Sequence, residues 1–185
     1  MLGKVLVMNF GSTSTKIAVY EGLDEILKNS IDHSSGELSN FHTILEQKDF
    51  RREKIKSALK EKGYRFSDFR AVVSRGGNTK PIKSGIYEIT EKMINDIKSG
   101  KYGAHATDIG NIIAFEIGKE LDIPVITADP PSCDEFNNLA RYSGMIDNPR
   151  LSSYHALNQK RSAKVAVVFF LCIWYIYRYE HVFDK

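Results

Sequence analysis

The chain of 185 residues has only two cysteines, Cys133 and Cys172, and one tryptophan. No CxxC pair or histidine spacing accompanies the cysteines, which excludes a disulfide framework and a zinc site as organising features. Charge of one sign is also scarce, since 26 Lys plus Arg against 23 Asp plus Glu leave a net charge of +3. So weak a bias does not select a polyphosphate backbone, and nucleic acid is not an expected partner. No apolar run reaches the about 18 to 20 residues that a membrane span needs. After Met1-Leu2-Gly3-Lys4 the apolar stretch covers only Val5 to Met8, with no small-residue cleavage site behind it. Neither secretion nor a membrane is expected, and the cytoplasm is the expected location. No internal repeat or low-complexity linker divides the chain.

What is present fits one soluble globular domain or two small ones: 42% hydrophobic residues and a mean hydropathy of -0.30. Lys4 to Asn9 and Lys16 to Tyr20 are β-rich runs around Gly11-Ser-Thr-Ser-Thr15, which predicts a hairpin, with a third strand over Glu25 to Ile31. Phe41, Ile44, Leu45, Ile55, Ala58 and Leu59 follow helical spacing up to a stop at Gly63. From Lys48 to Lys62 seven basic residues outnumber three acidic ones, a pattern read as a solvated helix face. Ala71 to Arg75 predicts a strand ended by Gly76-Gly77, and Gly85 to Thr90 another. Helical spacing returns at Met93, Ile94 and Ile97, then at Ile109, Ile112, Ile113, Ile117 and Leu121. Pro124 opens a buried strand that runs to Ala128. Strands alternating with helices imply an α/β domain.

Three of these strands end in a polar residue: Asn9, Arg75 and Asp129. By alternation Asn9 follows Val5 and Val7, Arg75 follows Ala71 and Val73, and Asp129 follows Val125 and Thr127. Ligands of open α/β sheets sit beyond the carboxyl ends of the strands. If the three strands are parallel neighbours, these residues converge on one crevice. The segment Gly11 to Lys16 joins a Gly turn, hydroxyls and a lysine, a combination suited to an anion. It is not a Walker A loop, because GxxxxGK[ST] is absent and the lysine opens a strand. His105 precedes the Ile-rich helix, where an imidazole can meet a ligand or serve only the structure; His155 is equally open to both readings.

Six segments in order, VLVMNFGSTSTKIAVYEG (5–22), VVSRGG (72–77), KPIKSGIYEI (80–89), KYGAHATDIGNIIAFEI (101–117), ITADPPSCDE (126–135) and YHALNQKRSA (154–163), resemble the butyrate kinases. These belong to the acetate and butyrate kinase family of the actin-like ATPase superfamily. The resemblance implies transfer of the ATP γ-phosphate to a short-chain carboxylate such as butanoate, with Mg²⁺, and leaves room for a homo-oligomer. It implies an α/β, ribonuclease H-like domain with a mixed sheet and flanking helices, normally joined to a second such domain. By resemblance Asn9, Ser12, Ser14 and Lys16 match the first phosphate motif. Arg75 matches the arginine that grips the substrate carboxylate, Asp129 the acidic residue near Mg²⁺, and His105 the histidine lining the site.

Phe10, Ser74 and Asp108 stand where the family usually has proline, glycine and asparagine. The family's chains are also about twice as long, and the absent half carries the second phosphate loop and the adenosine pocket. Past Lys164 an apolar tail of 13 residues, Val165 to Tyr177, replaces the expected amphipathic helix. The expected organisation is therefore a butyrate kinase-like N-terminal domain over 1–164 and a foreign or out-of-frame tail over 165–185, with impaired activity. The alternatives are a non-catalytic domain that binds phosphate or a partner subunit, and a tail that docks to a membrane or partner.

Overall fold

A computed structural model describes residues 3–150, 152 and 156–180. Its sheet has six strands: β1 (Lys4–Phe10), β2 (Ser14–Glu21), β3 (Asp24–Asp32), β4 (Phe69–Ser74), β5 (Ile86–Glu88) and β6 (Val125–Ala128). Their spatial order is β3-β2-β1-β4-β6-β5. The hairpin pairs are antiparallel, β1 with β4 and β4 with β6 are parallel, and β5 closes the edge antiparallel to β6. This is the expected mixed sheet. β5 is shorter than the run from Gly85 to Thr90; beyond its paired residues, Gly85 and Asp129 are joined by one backbone and one side-chain hydrogen bond.

Four helices lie in residues 3–134: α1 (Ser35–Leu38), α2 (Lys48–Glu61), α3 (Glu91–Lys98) and α4 (Thr107–Leu121). The short α1 has a capping box, Ser34 with Glu37, a signal of spacing S-x-x-E. Gly63 ends α2 as expected, with a φ of 81°. In α4, Ile109, Ile112, Ile113 and Ile117 are buried against the sheet, each contributing about 1.5–3 kcal/mol. Gly110 allows that packing: a Cβ there would stand 2.5 Å from Ser74 Oγ and 2.8 Å from the Phe10 ring. α2 is tied to α4 by Lys48 Nζ on Glu116 Oε1 at 2.8 Å and by the Arg52–Glu120 pair.

The face that α2 and α4 cover is that of Leu6, Met8 and Phe10, all buried. Val5 and Val7 are only half-buried on the other face. Asn9 therefore shares the half-buried face and does not follow the core, as alternation from two core valines suggested.

The structure divides into two units, residues 1–134 and 135–185. In the second, a short 3₁₀ turn at Leu139–Arg141 leads to α5 (Ala156–Glu180). Helix α5 passes Lys164 and Val165 without a break, so the boundary there is one of composition and not of secondary structure. Val165, Val167, Val168, Phe169, Phe170 and Leu171 are exposed along it. No helix among the described residues is long and apolar enough to cross a membrane.

Candidate active site

β1, β4 and β6 are parallel neighbours, with Met8 opposite Ser74 and Ser74 opposite Thr127. Their carboxyl ends thus form one edge, and Asn9, Arg75 and Asp129 fall on it. Two strand spacings separate the outer members, about 10 Å. The Arg75 N–H donates to Met8 O at 3.1 Å, which extends the β1–β4 ladder to the arginine and leaves its side chain exposed. Lys16 sits opposite Asn9 in the hairpin, and Ser14 lies two residues before it on the same face. Asn9, Ser14, Lys16 and Arg75 are therefore neighbours on one face at one edge. Ser12 is exposed at the hairpin turn.

Asp129 departs from the pleat. Its φ is 45°, a left-handed conformation rare outside glycine, asparagine and aspartate. The turn is held by Asp129 Oδ1, which accepts the Gly85 N–H at 2.8 Å, and by the Asp129 N–H, which donates to Gly85 O at 2.9 Å. Strand parity alone would put Asp129 on the face of Thr127, opposite Arg75. The twist at this residue takes it out of that sequence and leaves it exposed at the edge.

His105 reaches the same edge from below, because α4 runs back toward the start of β6 and so begins at the carboxyl edge. It is exposed, with Nδ1 3.0 Å from Thr107 Oγ1. The residue that orders this corner is Asp108, buried at 1% exposure. Its Oδ1 accepts the Asn78 N–H at 2.5 Å and its Oδ2 the His105 N–H at 2.7 Å. Burial pushes the Asp108 carboxyl above the usual carboxylate range, and the two N–H groups oppose that. Asn111 packs beneath the same loop so closely that a Cβ on Gly76 would meet its Oδ1 at 1.7 Å. Both polar atoms of Asn111, and Ser74 Oγ, are buried without a hydrogen-bond partner. His155 lies outside the described residues.

The basic stretch of α2 is corrected at one position. Lys56, Lys60 and Lys62 are exposed as expected, but Arg51 is completely buried at 0% exposure. It lies four residues before Ile55 and four after Gln47, on the buried stripe, and that spacing was the signal available in the sequence. Its guanidinium points at the hairpin turn: Nη1 donates to Gly11 O at 2.8 Å and Nη2 to Ser12 O at 2.8 Å. His33, also buried, places Nε2 2.8 Å from Thr15 Oγ1. Desolvation, aided by the Arg51 charge, holds the His33 imidazole below its ordinary pKa.

No family model matches the chain. Butyrate kinase 1 of Clostridium acetobutylicum is 46% identical over 161 residues, 87% of this chain and 45% of that protein. A probable butyrate kinase of Listeria monocytogenes is 41% identical over 160 residues, again 45% of its length. Over that stretch the chain is a homologue of butyrate kinases. It spans about half the length of the curated relatives it matches. Among solved structures, the acetate kinase of Porphyromonas gingivalis superposes with a TM-score of 0.55 over 90% of this chain and 49% of its own, at 17% identity. The chain thus shares the fold of that acetate kinase, a mixed sheet with flanking helices, as the resemblance to butyrate kinases implied.

Proposed function

We propose that this chain supplies the acceptor and first phosphate subsites of an ATP-dependent butyrate kinase, which transfers the γ-phosphate to a short-chain carboxylate. One observation carries the reading: Asn9, Ser14, Lys16 and Arg75 share one face of one sheet edge beside the Gly11–Thr13 turn. Phosphoryl transfer needs positioning and neutralised charge more than covalent help. Arg75 is exposed and forms no ion pair among the described residues, so its planar fork is available to hold both oxygens of a carboxylate in line with the γ-phosphorus. Lys16 and the turn amides stabilise the transferred group, with Asn9, Ser12 and Ser14 as further polar contacts. His105 lines the edge from the α4 side.

Among the described residues no three His, Cys, Asp or Glu side chains gather to hold a metal. A Mg²⁺ here takes most of its ligands from nucleotide phosphates and water, the usual habit of this hard, reluctantly dehydrated ion, with Asp129 nearby. The exposed Asp129 carboxylate fits that indirect role. Bound Mg²⁺ supplies neutralisation of phosphate charge.

The test is Arg75→Lys in this chain completed with the remaining half of a butyrate kinase, assayed by acyl hydroxamate formation. Losing the bidentate grip costs about 2–4 kcal/mol of transition-state stabilisation, as for loss of one oxyanion donor. The expected result is a fall of roughly 30- to 1,000-fold in kcat/KM for butyrate, with the KM for ATP little changed. Unchanged butyrate kinetics would show Arg75 to be a surface cation.

A further inference from the structure

We infer that Arg51 is a positioning residue for phosphate: from beneath the β1–β2 turn its guanidinium gathers the turn's carbonyls and so aims the Ser12 and Thr13 amides outward as an anion-binding nest. The inference rests on the phosphate reading of that turn.

All five guanidinium donors are engaged. Nε and Nη2 donate to Gln47 Oε1 at 3.0 and 2.8 Å, which fixes the plane of the fork. Nη1 donates to Gly11 O at 2.8 Å and reaches Ser14 O and Thr15 Oγ1, each at 3.3 Å. Nη2 takes Ser12 O at 2.8 Å. The remaining carbonyl, Thr13 O, accepts the His33 N–H at 2.8 Å, and Ser14 O also accepts the Gly11 N–H at 2.8 Å. Every carbonyl from Gly11 to Ser14 is therefore drawn into the protein.

A trans peptide is planar, with its C=O and N–H pointing in opposite directions. No cis peptide occurs among the described residues. When Gly11 O and Ser12 O turn down to Arg51, the Ser12 and Thr13 N–H groups of the same peptide units turn up. Neither donates to an acceptor in the described protein. Two outward amides on one tight turn, beside Lys16, form the concavity that binds anions in phosphate loops.

The charge balance points the same way. Every acceptor around Arg51 is a neutral oxygen, and no carboxylate pairs with it among the described residues. A buried cation without a counter-charge is costly. A phosphate on the outer side of the turn supplies that counter-charge across one layer of peptide units. Lysine cannot replace this fork, because one ammonium cannot reach Gly11 O, Ser12 O and Gln47 Oε1 in fixed directions.

Inorganic phosphate, titrated into the full chain and read by amide chemical shifts, tests the inference. In the wild type the Ser12 and Thr13 amides shift with added phosphate. Arg51→Lys keeps the charge and is expected to weaken that binding at least tenfold, with the amide spectrum of the β4 and α4 core unchanged. Gln47→Leu leaves Arg51 in place but frees its plane, and a loss of about threefold is expected; this variant decides the matter if Arg51→Lys does not fold. Equal phosphate affinity in the wild type and in the folded variants overturns the positioning role alone. A wild type whose turn amides ignore phosphate overturns the phosphate reading and this inference together.

Discussion

Two loops at one sheet edge are built with opposite polarity. The Gly11–Ser14 turn is held from beneath by a cation, Arg51, which consumes carbonyls. The loop after β4 is held from beneath by an anion, Asp108, which consumes the Asn78 and His105 N–H groups. The first arrangement frees main-chain donors for a ligand, whereas the second spends them. Under the proposed function, recognition of an anion falls at the β4 end to a side chain, Arg75, and at the β1 end largely to the backbone. On that proposal a carboxylate that must be oriented meets a directional fork, and a phosphate of near-tetrahedral symmetry meets a nest. Buried charge of either sign, placed under a loop, selects which face of its peptide units the ligand sees.

Breaking the anionic side should give the larger effect on stability. Asp108→Ala leaves the part-buried Asn78 and His105 N–H groups without their acceptor, a cost of about 1–3 kcal/mol each when fully unsatisfied and less where water enters. Urea unfolding is expected to show a loss of about 2 kcal/mol, and the Asn78 and His105 amides should exchange faster. The Ser12 and Thr13 response to phosphate should persist. A joint loss at both loops would show that they are one unit.

A smaller change probes the buried, unpartnered hydroxyl at the β4 end. Ser74 Oγ is buried and unpartnered against α4, so Ser74→Ala removes a desolvated hydroxyl at little loss of volume. The expected gain is about 1 kcal/mol, seen as a higher melting temperature. A fall in melting temperature would contradict it and mean that the hydroxyl is satisfied in solution.

The smallest effect is in pH dependence, where the two sites respond in opposite senses. The His33 imidazole has a folded pKa below its ordinary value near 6.5, because of burial and Arg51. Its neutral form suits the fold, so no penalty exists well above pH 6.5. As pH falls through 6.5 toward the folded value, the unfolded chain takes up protons first and stability declines. Asp108, with a folded pKa above its ordinary 3.8, carries its penalty at higher pH and loses it on acidification. Titration by NMR should place the His33 midpoint below 6.5 and the Asp108 midpoint above 3.8. A His33 midpoint at or above 6.5 would mean that the turn side is open to water.

Much of the fold was legible because its signals are local. The hydroxyl-rich turn between two β runs, the isoleucine spacing of α4, the Gly63 stop and the polar residues closing three apolar runs each depend on neighbours in sequence. That Asn9, Arg75 and Asp129 lie within one residue of a strand's end could be read by counting; the strands themselves end at Phe10, Ser74 and Ala128. Whether they meet could not, since it required β4 to pair in parallel with both β1 and β6, pairings of long sequence separation. Asp129 shows the limit of alternation, because a single left-handed residue cancels the parity of its strand.

The sequence by itself determined where the strands and the helices α2, α3 and α4 lie, since period and turn chemistry act over a few residues, whereas α1 and the helix through the apolar tail were not foreseen. Tertiary structure alone decided which sheet face is core. Both faces of β1 carry apolar side chains, and only the docking of α2 and α4 buries Leu6, Met8 and Phe10 in preference to Val5 and Val7. It also decided the fate of Arg51. A charged residue in a basic helix is normally solvated, and this one is buried because four oxygens of residues 11, 12, 14 and 15, more than 35 residues away in the chain, offer its guanidinium the hydrogen bonds that water would otherwise supply.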